Sequence, residues 1–218
     1  MKEDTLPPPG SFRKILKDYR FFWYAFGVVL VDQLVKLIVK FNMTPGQDIA
    51  VAGETFRINF IENRGAAFGL TIADLFGKIG IDMTEETAKL LLTIFSIGAV
   101  MVIAYLLQQV RHHKSALPFF LAMILGGALG NIIDRVFYGI WFQGMNWYEG
   151  GLFEGRVVDM FYLDFYQGEV WGIDMYLLPV FNIADLAISI GIVAVILFQR
   201  RYFRKHLERS QNVEADTN

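Results

Sequence analysis

Four long apolar runs are the feature that most limits how this chain can fold. An α-helix rises 1.5 Å per residue, so about 20 apolar residues cross the roughly 30 Å hydrocarbon core of a bilayer. The runs have about this length, and the second contains no charged residue. They lie at about 21–39, 90–110, 116–133 and 181–198. The sequence therefore predicts a mainly α-helical membrane protein with four transmembrane helices, and four spans place both termini on one side of the membrane.

The composition excludes several other classes of protein. Hydrophobic residues make up 54% of the 218 residues, which excludes a disordered chain. The absence of cysteine excludes a disulfide scaffold and a thiolate zinc site. The formal net charge of -2 leaves no excess of positive charge for nucleic acid. The three histidines lie in the turn after the second run and in the tail, which the four spans place on one side of the membrane. A serine hydrolase with its active site on the opposite side would therefore lack the histidine that acts as its base.

Basic residues indicate the orientation, because Lys and Arg near the ends of spans are held on the cytoplasmic side. Twelve of them lie in the terminal segments and the 111–115 turn, whereas the two much longer remaining loops hold seven. We therefore expect both termini to be cytoplasmic. The expected organisation is a cytoplasmic segment 1–20, a membrane domain 21–199 with outer segments 40–89 and 134–180, and a cytoplasmic tail 200–218.

The two outer segments differ in character. In Thr55–Ile61, Phe56, Ile58 and Phe60 alternate with polar neighbours, which predicts a half-buried strand. The segment 134–180 holds thirteen of the chain's 33 aromatic residues, and such rings are favoured at the headgroup boundary. We expect a small extracytoplasmic β element and an extended aromatic-rich periplasmic loop.

Ionisable and amide side chains cluster at one depth, in the outer half of the predicted spans. Carboxylates there are costly unless they are paired, exposed to water or functional. Asp32 and Lys36 are four residues apart on one helix face, which favours a structural ion pair. Asp134 could be balanced by the adjacent Arg135 or by a neighbouring helix. Asp185 has no basic neighbour on its own helix and is the stronger candidate for a proton-sharing role.

Residue patterns alone leave three functions open: an enzyme, a transporter and an interaction protein. As a transporter or channel subunit, the chain would relay protons or bind ions through Asp32, Asp134 and Asp185. However, the charges cluster on one side and no inverted repeat is visible. As an anchored interaction protein, the chain would dock partners on its aromatic loop. Without further information Asn63-Arg64-Gly65 indicates a turn, and Asp159 is one loop acid among many.

Five blocks, in order, resemble the lipoprotein signal peptidases, also called signal peptidase II. One such block would be a weak signal, but five ordered blocks at consistent membrane depths are highly specific. They are VDQLVK at 31–36, NRGAAFG at 63–69, GGALGNIIDR at 126–135, VVDMF at 157–161 and FNIADLAIS at 181–189.

The resemblance implies an intramembrane aspartyl endopeptidase with Asp159 and Asp185 as the catalytic pair. The implied substrate is a prolipoprotein whose Cys carries a diacylglyceryl group, cleaved on the N-terminal side of that Cys without a metal or organic cofactor. Besides the substrate, the expected partners are membrane lipids and no nucleic acid. The enzyme is expected to be a monomer in the bacterial inner membrane with its site toward the outer leaflet. The resemblance implies substrate-binding or supporting roles for Asn63, Gly65, Asn131, Arg135, Asn182 and Ala184, and structural or site-supporting roles for Asp32, Lys36 and Asp134.

One segment departs from the family pattern. Compact members have only a short connection where this chain has 136–156, which is rich in Gly and aromatic residues. The hypothesis from the sequence is that this insertion forms an extended lid or a hairpin resting on the membrane.

Overall fold

Three long helices form the frame of the protein in a computed structural model, which describes residues 16–53, 55–65, 71–78, 80–163, 167–170, 173–176 and 179–198. The helices α1 (Arg20–Asn42), α3 (Glu85–Val110) and α4 (Leu117–Trp141) are long and apolar enough to cross a membrane. A short helix, α2 (Ile72–Gly77), precedes α3, and a shorter apolar helix, α5 (Ile183–Phe198), ends the described chain. Three predicted spans are confirmed, and most of the expected terminal segments lie outside the described residues.

Two helices are longer than their apolar runs predicted. Helix α3 begins at Glu85 rather than near residue 90, and the Thr84 side chain caps it by accepting from the Thr87 N–H at 3.2 Å. Helix α4 continues to Trp141 instead of ending near residue 133. Its apolar run is interrupted by Asn131, Asp134 and Arg135, but these side chains find partners inside the protein, so the helix does not stop there.

Helix α4 lies at the centre of the helical frame, because its glycines let neighbouring backbones approach. A Cβ at Gly126 would lie 2.5 Å from the Ala25 carbonyl oxygen of α1. A Cβ at Gly127 would overlap the Ala184 carbonyl oxygen of α5. A buried apolar cluster that includes Leu107 joins α3 to α1 and α4. The small residues of the third apolar run thus hold α1 and α5 against the same helix.

An antiparallel sheet of order β1-β2-β3 packs against α1 and α4. Its strands are β1 (Asp48–Ala52), β2 (Phe56–Asn63) and β3 (Val157–Leu163), and the register between β2 and β3 shifts between Ile58 and Ile61. The predicted strand around 55–61 is confirmed, with Phe60 buried in a core that also contains Tyr138 and Met160. A separate hairpin consists of β4 (Gln167–Val170) and β5 (Ile173–Tyr176).

The 136–156 insertion folds back on the helix from which it emerges. Its first part continues α4, and its last part returns so that the Phe153 and Gly155 N–H groups donate to the Val136 and Arg135 carbonyls, each at 3.0 Å. A Cβ at Gly139 would overlap the Gly151 carbonyl oxygen, so the return is closely packed. All residues of 136–156 are described and none is in a strand. The insertion is therefore a helical extension with a packed return, not the extended lid or hairpin expected from the sequence.

Candidate active site

Asp159 lies on β3 with its carboxylate buried between two amide donors. The side chain is 2% exposed. The Asn63 Nδ2 donates to Asp159 Oδ2 at 2.9 Å, and the Asn182 Nδ2 donates to Asp159 Oδ1 at 2.6 Å. Pairing of β2 with β3 sets Asn63 opposite Val157 and so brings the amide close to the acid. Sheet pairing thus connects a residue of β2 to one 96 positions away.

Asp185 lies in the first turn of α5, where it forms a capping box with Asn182. The Asp185 N–H donates to Asn182 Oδ1 at 2.9 Å, and the Asn182 N–H donates to Asp185 Oδ2 at 3.4 Å. A backbone bridge between Phe161 and Phe181 brings β3 to this helix start, with the Phe161 N–H 2.8 Å from the Phe181 oxygen. Asn182 therefore contacts both Asp159 and Asp185, although their positions are far apart in sequence.

The two carboxyl groups have different electrostatic environments. Burial, followed by the negative charge of Asp185, raises the pKa of Asp159 to about 7; the amide donors Asn63 and Asn182 and the positive charge of Lys36 oppose this rise. Asp185 is partly exposed and lies in the first turn of α5, where Asn131 and Asn182 donate to its carboxylate. The pair is therefore suited to hold one proton between two acids.

A fully buried ionic cluster supports this pair from α1 and α4. The Lys36 Nζ lies 2.8 Å from Asp32 Oδ2, 2.8 Å from Asp134 Oδ2 and 2.9 Å from Asn131 Oδ1. An ammonium group has three donors, and all three are used here. The ion pair predicted between Asp32 and Lys36 is confirmed, and Asp134 is balanced by this neighbouring helix.

The same two acids hold the backbone next to each candidate catalytic residue. Asp32 Oδ1 accepts from the Ala184 N–H at 2.9 Å, directly before Asp185 in the chain. Asp134 Oδ2 accepts from the Val158 N–H at 3.2 Å, directly before Asp159. Gly130 leaves room for this arrangement, since a Cβ there would lie 2.5 Å from Asp32 Oδ2.

Amide and guanidinium groups complete the site. Asn131 donates from Nδ2 to Asp185 Oδ1 at 2.8 Å and accepts from Asn182 at 3.2 Å, so it links the Lys36 cluster to the carboxyl pair. The half-buried Arg135 donates to the Ser96 hydroxyl of α3 at 3.0 Å and interacts electrostatically with Asp185, Asp134 and Asp159. It supplies a positive charge close to both acids.

Gly65 follows the β2 strand in a turn that only glycine adopts readily. Its φ is +93°, and its N–H donates to Asn63 Oδ1 at 2.9 Å. A Cβ at Gly65 would lie 2.8 Å from the Leu92 side chain, so α3 also restricts this position. The turn orients the Asn63 amide toward Asp159.

The sequence reasoning missed three polar residues of this region. Gln33 donates to Asp134 Oδ1 at 2.9 Å and accepts from the Tyr138 hydroxyl at 3.1 Å, and Ser96 contacts Arg135. Gln33 adjoins Asp32 in a predicted span, so its polarity at membrane depth was a usable signal. Tyr138 lay beyond the predicted end of its helix, and Ser96 was one hydroxyl in an uncharged run. Within the described residues, no group of three or more His, Cys, Asp or Glu converges as a metal site would.

The fold and the site together define a membrane protein whose helices surround a pair of carboxyl groups at one end, one of them buried and the other partly exposed. The family profile described as "Signal peptidase (SPase) II" matches residues 24–200. The chain therefore belongs to the signal peptidase II family. It is a peptidase of the inner membrane, and family membership favours the enzyme over the transporter and the interaction protein.

Individual relatives agree with this assignment. A lipoprotein signal peptidase of Porphyromonas gingivalis is 37% identical over 191 residues, covering 78% of each chain. A lipoprotein signal peptidase of Pelodictyon phaeoclathratiforme is 36% identical over 185 residues, covering 84% of this chain and 91% of that one. A solved structure described as a bacterial membrane enzyme shares the fold, with a TM-score of 0.58 at 24% identity over 84% of this chain and 88% of the other.

Proposed function

We propose that the chain is an intramembrane aspartyl endopeptidase that removes the signal peptide from diacylglyceryl-modified prolipoproteins. Cleavage would fall on the N-terminal side of the lipidated Cys. The observation that carries the proposal is the shared contact of Asn182 with Asp159 and Asp185, which brings two acids together inside a membrane protein of this family. The relatives named lipoprotein signal peptidase support the substrate class.

The proposed chemistry uses one proton between the two acids. Ionised Asp185 accepts a proton from a water molecule as that water attacks the scissile carbonyl. Protonated Asp159 gives its proton to the developing oxyanion, which forms a gem-diol. As the C–N bond breaks, Asp185 passes the proton taken from water to the leaving amine and Asp159 recovers a proton from a gem-diol hydroxyl, which restores the resting pair. The raised pKa of Asp159, about 7, supports its assignment as the acid, because a substantial protonated fraction is present near neutral pH.

The remaining residues would position the substrate and the pair. Asn63 and Asn182 orient Asp159, and Asn131 orients Asp185, so each acid presents its free lone pairs in a fixed direction. Arg135 would face a substrate carbonyl or a lipid headgroup. Gly65 and Ala184 would support the site through their backbones, and Asp32, Lys36 and Asp134 would hold the neighbouring amides.

The proposed topology has four spans, and α5 is the fourth. The excess of basic residues in the terminal segments supports cytoplasmic termini and a carboxyl pair near the outer leaflet. In this arrangement residues 1–20 and 200–218 flank a single membrane peptidase domain, 21–199. We expect the domain to act as a monomer in contact with membrane lipids.

The test is cleavage of a diacylglyceryl-modified precursor by the purified protein and by the Asp159→Asn and Asp185→Asn variants. Each substitution keeps the side-chain shape but removes a proton-transfer group, so we expect at least a hundredfold loss of rate. Asp48→Asn is the matched control, because Asp48 pairs with Arg57 at 2.8 Å in the half-exposed part of the sheet. Mass spectrometry of the product should find the lipidated Cys at its new N-terminus. Full activity of either folded dyad variant would refute the aspartyl mechanism.

A further inference from the structure

An apolar groove lies between α1 and α5 with α4 as its floor, on the side of α5 that faces away from the carboxyl pair. Its volume is about 480 Å³, and its lining includes Trp23, Gly27 and Val31 of α1 and Ile183 and Ile190 of α5. On α5 the lining residues recur at helical spacing along one stripe. Asp185 is two residues from Ile183, about 200° around the helix. The groove is therefore separate from the candidate active site.

The walls of the groove are bulky, unlike the helix contacts that this protein makes elsewhere. Helices associate in membranes through small residues that let their backbones approach. Helix α4 meets its neighbours in this way through Gly126 and Gly127. The groove is instead bordered by large side chains such as Trp23, which is 54% exposed, and Phe119, which is 41% exposed. An apolar groove with walls of this kind fits a flexible hydrocarbon chain better than another helix.

Basic side chains lie beyond one end of the groove. Arg20 is the first residue of α1 and shares the helix stripe of Gly27 and Val31, which follow it by seven and eleven residues. Lys17 precedes it, and both side chains are exposed. The proposed topology places this end of α1 at the cytoplasmic surface. A basic side chain at such a surface favours an anionic lipid by about fivefold.

We propose that this groove binds one acyl chain of an anionic phospholipid, whose phosphate lies beside Lys17 and Arg20. The bound chain fills the space behind α5 and supports the helix that carries Asp185. The proposal needs no peptidase reaction, so it can fail or succeed independently of the proposed function.

Gly27 provides a way to fill the groove from within. No atom lies within 4 Å of the position that a Cβ would take at Gly27, so Gly27→Leu should fit without a clash and occupy the lipid's place. Gly98 of α3 is equally open and does not line the groove, so Gly98→Leu is the matched control. Native mass spectrometry of the 24.9 kDa chain should show one retained phosphatidylglycerol in the parent and the Gly98 variant, and none in the Gly27 variant.

Trp23 reports the same event by fluorescence in vesicles. The chain has four tryptophans, so replacing Trp141, Trp147 and Trp171 with Phe leaves Trp23 as the only one. Brominated phosphatidylglycerol in a phosphatidylcholine bilayer should reach half-maximal quenching at a mole fraction at least about fivefold lower than brominated phosphatidylcholine. Arg20→Gln should reduce this preference by about fivefold while leaving the groove open to the acyl chain.

Three results would overturn the proposal. The two brominated lipids could reach half-maximal quenching of Trp23 at the same mole fraction. Gly27→Leu could leave both the retained lipid and the preference unchanged. The parent could also run as a two-chain particle that Gly27→Leu dissociates, which would mean that a second copy of the chain occupies the groove.

Discussion

Asp159→Asn is expected to stabilise the folded protein increasingly as the pH rises, besides abolishing cleavage. Burial, followed by the charge of Asp185, raises the pKa of Asp159 from 3.8 to about 7 in the folded state. A raised folded-state pKa means that the stabilising contribution is complete below about pH 3.8 and is lost as the pH rises through about 7. An Asn side chain does not titrate, so the variant avoids this loss.

The size of the effect follows from the two pKa values. At pH 5 the folded carboxyl is still protonated, whereas at pH 8 it is mostly ionised; the unfolded carboxyl is ionised at both. Proton linkage then gives about 2–3 kcal/mol of additional destabilisation of the parent between pH 5 and pH 8. For a chain of this size that corresponds to a Tm difference growing by about 5–10 °C.

The assay is thermal unfolding in detergent micelles at pH 5, 6, 7 and 8, followed by intrinsic tryptophan fluorescence. Asp48→Asn serves as the control, since a half-exposed ion pair contributes less than about 1 kcal/mol and should give a small difference at every pH. If the Tm difference between Asp159→Asn and the parent is the same at pH 5 and pH 8, Asp159 does not titrate in this interval. Its proposed role as the proton donor would then fail.

Three further substitutions test the support around the pair. Lys36→Met leaves two carboxylates buried without their cation and should destabilise the fold by about 3–5 kcal/mol, so a Tm close to that of the parent would contradict the ionic cluster. Gly155→Ala places a methyl group against a carbonyl of α4 and should cost about 1–3 kcal/mol, whereas Gly98→Ala on α3 should be neutral or slightly stabilising by the same Tm measurement. Asn63→Ala removes a hydrogen-bond donor that lowers the pKa of Asp159. The pH above which the cleavage rate falls should therefore rise, and a fall in that pH would contradict the proposed role of Asp159 as the acid.

Local spacing predicted those parts of the site that lie on one helix. Asp32 and Lys36 are separated by one helical turn, so their ion pair followed from the sequence and is present at 2.8 Å. The partner of Asp134 did not follow, because its adjacent residue Arg135 was an equally good candidate. In the structure the packing of α1 on α4 places Lys36 beside Asp134 instead. The glycines of α4 allow this close packing, but their positions in the sequence do not tell which helix will approach.

Asp159 could not be recognised from its own surroundings. Its position depends on the pairing of β2 with β3 and on the bridge between Phe161 and Phe181, which join segments distant in the chain. Only the resemblance singled it out. The boundary of α4 was missed for a related reason: hydropathy treats Asn131 and Asp134 as the end of a span, whereas their buried partners let the helix continue.

The charged residues that hold the site in place are different from the two acids, Asp159 and Asp185, that are proposed to react. Asp32 and Asp134 are fully buried and use their oxygens on Lys36 and on the backbone amides before Asp185 and Asp159. A proton on either acid would weaken its contacts with Lys36 and with the amide at once, so the cluster couples Lys36 to the position of both amides. Asp185, in contrast, is partly exposed and is held by Asn131 and Asn182, so its role in the proposed mechanism leaves the contacts of Lys36 with Asp32 and Asp134 in place. Between membrane-spanning helices this division is favourable, because a bilayer supplies no water to restore a hydrogen bond lost from the buried cluster.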